Sequence, residues 1–120
     1  MMRRLIFAFV LSCCGTIASA QKHAEPTGSA PGKFLVQGDT LIYNSDNATS
    51  DGYAEIDGPD VDRLRTLLRR HGDVTTLQLT STGGLVWAGT EMAQIVLDFG
   101  LNTRAEGECS SSCVTIFFAV

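Results

Sequence analysis

The sequence predicts an α/β layer structure with a largely parallel sheet. Two observations carry this reading. From residue 34 onward, strand-like and helix-like runs alternate, a pattern that buries its apolar faces by laying helices on a sheet with parallel strands. The chain is also short: with a leader set aside, roughly a hundred residues remain, enough for one domain with a modest core.

The elements follow in order. Phe34-Leu35-Val36 and Leu41-Ile42-Tyr43 flank Gly38-Asp39 and read as two short strands around a turn. Asn44 to Gly52 is polar and loop-like. Gly58 to Gly72 is the clearest helix. Pro59 suits its first position, Asp60 and Asp62 suit the positive end of the dipole, and Arg69, Arg70 and His71 suit the negative end. Val61, Leu64, Leu67 and Leu68 form one apolar stripe. Val74 to Leu79 reads as a strand, and Gly83-Gly84 as a turn. A second helix runs from about Leu85 to Phe99, apolar nearly all round as a buried helix should be. Gly100 ends it, and Leu101 to Ala105 is a short strand. The chain then gives Cys109-Ser110-Ser111-Ser112-Cys113 and a buried-type run, Val114 to Val120.

Residues 1–20 read as a cleavable signal peptide. Arg3 and Arg4 precede the apolar run Leu5 to Leu11, and Ala18-Ser19-Ala20 has the form that signal peptidase reads. The expected location is periplasmic or secreted, with cleavage after Ala20. The rival is a lipoprotein signal at Val10-Leu11-Ser12-Cys13. The apolar run is too short to span a bilayer, so no stable membrane span is expected. Residues 21–33, with Pro26 and Pro31, read as a flexible lead-in before a domain over 34–120. Without Arg3 and Arg4 the basic residues fall to 7 against 13 acidic ones, a net charge of −6. Nucleic acid, which needs basic patches, is not an expected partner.

Two segments carry chemistry. In Ser81-Thr82-Gly83-Gly84-Leu85-Val86, a glycine pair between strand and helix exposes backbone N–H groups that can hold an anion or a developing oxyanion. The same pair can also be a plain tight turn. In Cys109-Ser110-Ser111-Ser112-Cys113, a serine at a helix start is placed as a nucleophile, or serves as a helix cap. Cys109 and Cys113, about one helical turn apart, are either a disulfide or two reduced thiols. No further Cys or His lies near them, so neither a metal site nor a cofactor is expected.

Taken together, these segments resemble the Clp-type serine peptidase superfamily, in particular its exported bacterial Clp-protease-like members. Those carry a Ser-Pro-Gly-Gly-x-Val turn, a following helix containing a glycine, and a Cys-x-Ser-x-Cys segment. Here the matching residues are Ser81 to Val86, Gly89 and Cys109 to Cys113, and the similarity covers roughly residues 34 to 120. The resemblance implies a crotonase-like fold of β-β-α units, a peptide substrate and assembly into homo-oligomers. It makes Ser111 the nucleophile, the N–H groups of Gly84 and Ser112 the oxyanion hole, and Gly83 the support of the turn. Thr82 departs from the family's proline. The family's histidine and acid lie beyond its serine, whereas only Val114 to Val120 follow here. His23, His71, Lys22 and Lys33 all lie upstream, the lysines in the lead-in. A serine without a base is a poor nucleophile. The expectation is therefore a periplasmic serine hydrolase homologue, incomplete at the C-terminus and inactive as these 120 residues. The alternative is a non-catalytic exported module of the same fold for self-association or binding. Acyl-CoA chemistry is disfavoured for an exported chain.

Overall fold

The computed structural model of the chain describes residues 32–48 and 52–120. The expectations for the leader (Arg3, Arg4, Cys13 and the exit at Ala20) and for residues 21–31 lie outside them. The described elements are β1 (Phe34–Gln37), β2 (Thr40–Asn44), α1 (Gly58–Arg70), β3 (Thr76–Ser81), α2 (Val86–Phe99), β4 (Asn102–Cys109) and α3 (Ser112–Phe117).

The four strands form one sheet in the order β1-β2-β3-β4. The α/β expectation holds, but the sheet is mixed. β1 and β2 pair antiparallel, while β2–β3 and β3–β4 are parallel. The cause is connection length: the two-residue turn at Gly38 and Asp39 can only fold the chain back on itself, and a parallel pair needs a helical crossover. α1 and α2 supply the two crossovers.

α1 begins at Gly58, as the sequence implies, and a cap at Asp57 is added to it. Asp57 accepts the Asp60 N–H, the Asp60 side chain accepts the Asp57 N–H, and proline occupies the first turn. Its buried stripe of Val61, Leu64, Leu67 and Leu68 joins a core that includes Leu41, Tyr43, Leu77, Leu79, Met92 and Ile116. Each fully buried leucine here contributes about 1.5–3 kcal/mol relative to exposure.

Three expectations are corrected. α2 is not buried all round: it packs through Ala88, Gly89, Met92, Ala93, Ile95 and Val96, while Val86 is 74% and Trp87 56% exposed. Among the described residues nothing covers that outer face. β4 is longer than the expected Leu101–Ala105. It continues across a bulge, where the register shifts from Leu79↔Ala105 to Ser81↔Cys109, and Gly107 at φ 76° takes up the kink. The polar run Glu106-Gly107-Glu108 hides this continuation in the sequence. Finally, Val114–Val120 is not a wholly buried run. α3 buries Cys113 and Ile116, but Val114, Phe118 and Val120 are exposed. Among the described residues, no helix is long and apolar enough to cross a membrane.

Candidate functional site

The site is built at the carboxyl ends of β3 and β4, and Ser81 is its joint. This fully buried residue holds two turns at once. Its carbonyl accepts the Ser110 N–H at 3.0 Å, tying the end of β4 to β3. Its hydroxyl accepts the Gly83 N–H at 3.0 Å and the Ser45 hydroxyl at 2.7 Å. Ser45, also fully buried, is fixed in turn through its N–H to the Thr80 carbonyl.

From Ser81 the first turn runs through Gly83 (φ 108°) and Gly84 (φ 151°), both in backbone regions that favour glycine. Space demands glycine as well. A Cβ on Gly83 would meet the Ser111 Cβ at 2.7 Å, and a Cβ on Gly84 would overlap the backbone of Ile56. Ile56 clamps the turn on both sides: its N–H donates to the Gly83 carbonyl at 2.8 Å, and its carbonyl accepts from Leu85 at 2.9 Å. The tight-turn reading is thus correct. It does not exhaust the segment, because the Gly84 N–H donates to no backbone acceptor among the described residues.

The second turn carries Ser111. With φ 52° and ψ −128°, it is the one non-glycine residue at positive φ among those described. This is the first central position of a type II′ turn, which glycine normally fills. The Cys113 N–H closes the turn onto the Ser110 carbonyl at 3.1 Å. Ser111 stands at the cap position of α3, yet its side chain makes no capping hydrogen bond, so the helix-cap reading is not the explanation for this serine. Its side chain is exposed. A strained serine on a sharp strand-to-helix turn, with a free Oγ, is the geometry of a nucleophile elbow. Ser112 follows with an N–H that has no backbone acceptor among the described residues. The Ser112 Oγ is buried without a hydrogen-bond partner among them, and a Cβ on Gly89 would approach the Ser112 Cβ to 2.8 Å. The structure therefore brings Gly83 against Ser111 and Gly89 against Ser112. Of the two readings of the cysteines, the bridge is the one found: Cys109 and Cys113 are joined, with Cα atoms 5.3 Å apart.

Among the described residues, no base hydrogen-bonds to Ser111. Its Oγ has no hydrogen-bond partner among the described residues, whose only histidine is His71. That residue caps the far end of the 13-residue α1, about 20 Å along the axis from the end that adjoins Trp87.

Lys33 corrects the expectation of a flexible lead-in up to residue 33. Its ammonium lies 2.9 Å from Asp60 and 3.2 Å from Asp57, and donates to the Glu55 carbonyl at 2.6 Å. Its side chain is 8% exposed. Tyr43 adds a hydrogen bond to Asp60 at 2.7 Å. Burial, ahead of the hydrogen bond and charge of Asp60, pushes the Tyr43 hydroxyl far above its ordinary pKa and keeps it a donor. Burial also raises the Asp60 carboxyl, against the opposing hydrogen bonds from Tyr43 and Lys33. This cluster fixes residues 55–57, and with them the Ile56 clamp on Gly84. The sequence offered no signal for Lys33 or Ser45, both of which lie in polar stretches without periodicity.

A pocket of about 830 Å³ is lined by Lys33, Phe34, Tyr53, Asp57, Leu85 and Trp87, among others. Its size favours it as a ligand site. Ser111 does not line it, and its buried charges already satisfy one another. The strained, open serine turn is the stronger pointer to chemistry. Leu85 connects the two, since it follows Gly84 and forms part of the pocket wall. Comparison of the chain with protein-family models, with curated proteins and with solved structures finds no match.

Proposed function

We propose that this chain carries the nucleophile and oxyanion half of a Clp-protease-like serine hydrolase of crotonase-like fold, exported to the periplasm and acting on peptides by acyl transfer. One observation carries the reading: Ser111, alone among the described non-glycine residues, is held at positive φ with its Oγ uncommitted. Sparsely populated backbone costs about 1–3 kcal/mol and clusters at active sites and switch regions. In the proposed reaction the Ser111 Oγ attacks the acyl carbon of a peptide bond. The carbonyl oxygen becomes an oxyanion, and the N–H groups of Gly84 and Ser112 stabilise it. The serine proton goes to a base that the described residues do not supply, so the chain by itself is inactive.

The test supplies that base. A fluorophosphonate probe should label the 120-residue chain negligibly in plain buffer and measurably when imidazole is added. Ser111→Ala should abolish the added labelling. A second reading, a non-catalytic module for binding or self-association, draws on the exposed Val86, Trp87 and Phe118. It predicts no Ser111-dependent labelling with or without imidazole, and that result would displace the hydrolase reading.

A further inference from the structure

We infer that the Cys109–Cys113 disulfide is a redox lock on the Ser111 turn: oxidised, it holds the serine in its strained conformation; reduced, it lets the turn relax. Three observations converge on the turn. The bridge spans five residues with Ser111 at their centre, and joins the last residue of β4 to the first turn of α3. A strained residue persists only where its surroundings over-determine it. Around Ser111 those surroundings are few: Ser110 held to Ser81, the Cys113 N–H on the Ser110 carbonyl, the Val114 N–H on the Ser111 carbonyl, the contact with Gly83, and the bridge. The side chain of Ser111 contributes no hydrogen bond to its own turn. Removing the one covalent constraint among these should therefore shift the balance toward an ordinary helix start with negative φ at Ser111.

The two sulfurs differ in surroundings. Cys113 is fully buried and Cys109 only partly so, so an incoming thiolate meets Cys109 first. A dithiol reductant attacks the Cys109 Sγ, and Cys113 leaves as a thiolate and takes a proton. The second thiol of the reductant then displaces Cys109, which is also protonated. The protein gains two thiols, and the reductant, having given two electrons and two protons, leaves as a cyclic disulfide. Because the bridge closes so few residues, its chain-entropy contribution is at the low end for disulfides. Its effect is local. The consequence for catalysis rests on the hydrolase reading; the locking of the backbone does not.

The experiment compares oxidised and dithiothreitol-reduced protein, each as wild type and as Ser111→Gly. In the oxidised form, glycine relieves strain and should raise the unfolding midpoint by several degrees. In the reduced form, where the turn has already relaxed, that shift should fall to less than half. Amide NMR signals of Ser110–Cys113 and Gly83–Gly84 should move on reduction while those of α1 and β2 stay. Equal Ser111→Gly shifts in both forms, unmoved turn signals, or global unfolding on reduction would each overturn the lock; the last would show that the bridge supports the whole domain. Imidazole-dependent probe labelling separates the two proposals. Labelling lost on reduction supports the lock, and labelling unchanged by reduction opposes it. Absence of labelling in both forms sinks the hydrolase reading while the midpoint comparison still decides the lock.

Discussion

Replacing Ser111 by glycine should stabilise the oxidised chain, whereas replacing it by alanine should leave stability nearly unchanged. At φ 52° and ψ −128°, a residue with a Cβ carries about 1–3 kcal/mol of backbone strain. Glycine removes that strain but adds about 0.5–1 kcal/mol of unfolded-state freedom. The net gain is about 0–2.5 kcal/mol, and in a domain of this size each kcal/mol moves Tm by about 4–8 °C. Alanine keeps both the Cβ and the strain. It deletes only an exposed hydroxyl with no hydrogen bond among the described residues, a change expected to fall within about 0.5 kcal/mol. Urea unfolding followed by circular dichroism measures both, with an unchanged slope required for the comparison to hold. A glycine variant less stable than wild type would mean that the turn is not strained. An alanine variant that loses more than about 1 kcal/mol would restore a structural role for the hydroxyl, at the magnitude of a helix cap.

Other perturbations follow from the same geometry. Gly84→Ala should cost more than about 4 kcal/mol or prevent folding, because its Cβ would overlap Ile56 backbone that cannot swing aside; Gly83→Ala should cost about 3 kcal/mol by colliding with Ser111. Near-wild-type urea midpoints for either would refute the packing described. Lys33→Met should cost about 3–5 kcal/mol by leaving Asp57 and Asp60 buried without their cation; a loss below about 1 kcal/mol would show that this cluster behaves as a surface ion pair. Expressed in a bacterium, the chain should be recovered from the periplasm with Gln21 as its first residue; mass spectrometry finding an intact Met1, or a lipid on Cys13, would exclude that processing.

The parts legible in the sequence are those that depend on local signals. α1 announces itself through Pro59, its apolar stripe and its terminal arginines, and the β1–β2 hairpin through Gly38-Asp39 between apolar runs. The glycine pair is legible because positive φ and close approach leave glycine few substitutes, whereas the positive φ of Ser111 has no signal in the sequence. What the sequence conceals is set by distant partners. Lys33 looks like part of a proline-rich tail until Asp57 and Asp60 come within 3.2 and 2.9 Å of it. The bulge that extends β4 is written in Glu106-Gly107-Glu108, residues typical of a loop. The exposed side of α2 cannot be read from composition, because Val86 and Trp87 are as apolar as the residues buried on its other face.

The buried polar groups share a destination. Core serines and charges are expensive unless paired, and here each pairing ends at the backbone beside Ser111. Lys33 and the two aspartates fix residues 55–57, whose Ile56 clamps Gly83 and Leu85 around Gly84. Ser45 orients Ser81, which holds Gly83 by its hydroxyl and Ser110 by its carbonyl. An apolar core would satisfy the sheet without either network. Apolar side chains, however, offer no direction to a backbone N–H, and a turn with two glycines has too many conformations to settle in one by packing alone. The polar groups therefore act as the guides that leave the Gly84 N–H uncommitted and aim the second turn at the first. The burial of Lys33 and Ser45 thus serves the turns beside Ser111, the one non-glycine residue at positive φ among those described.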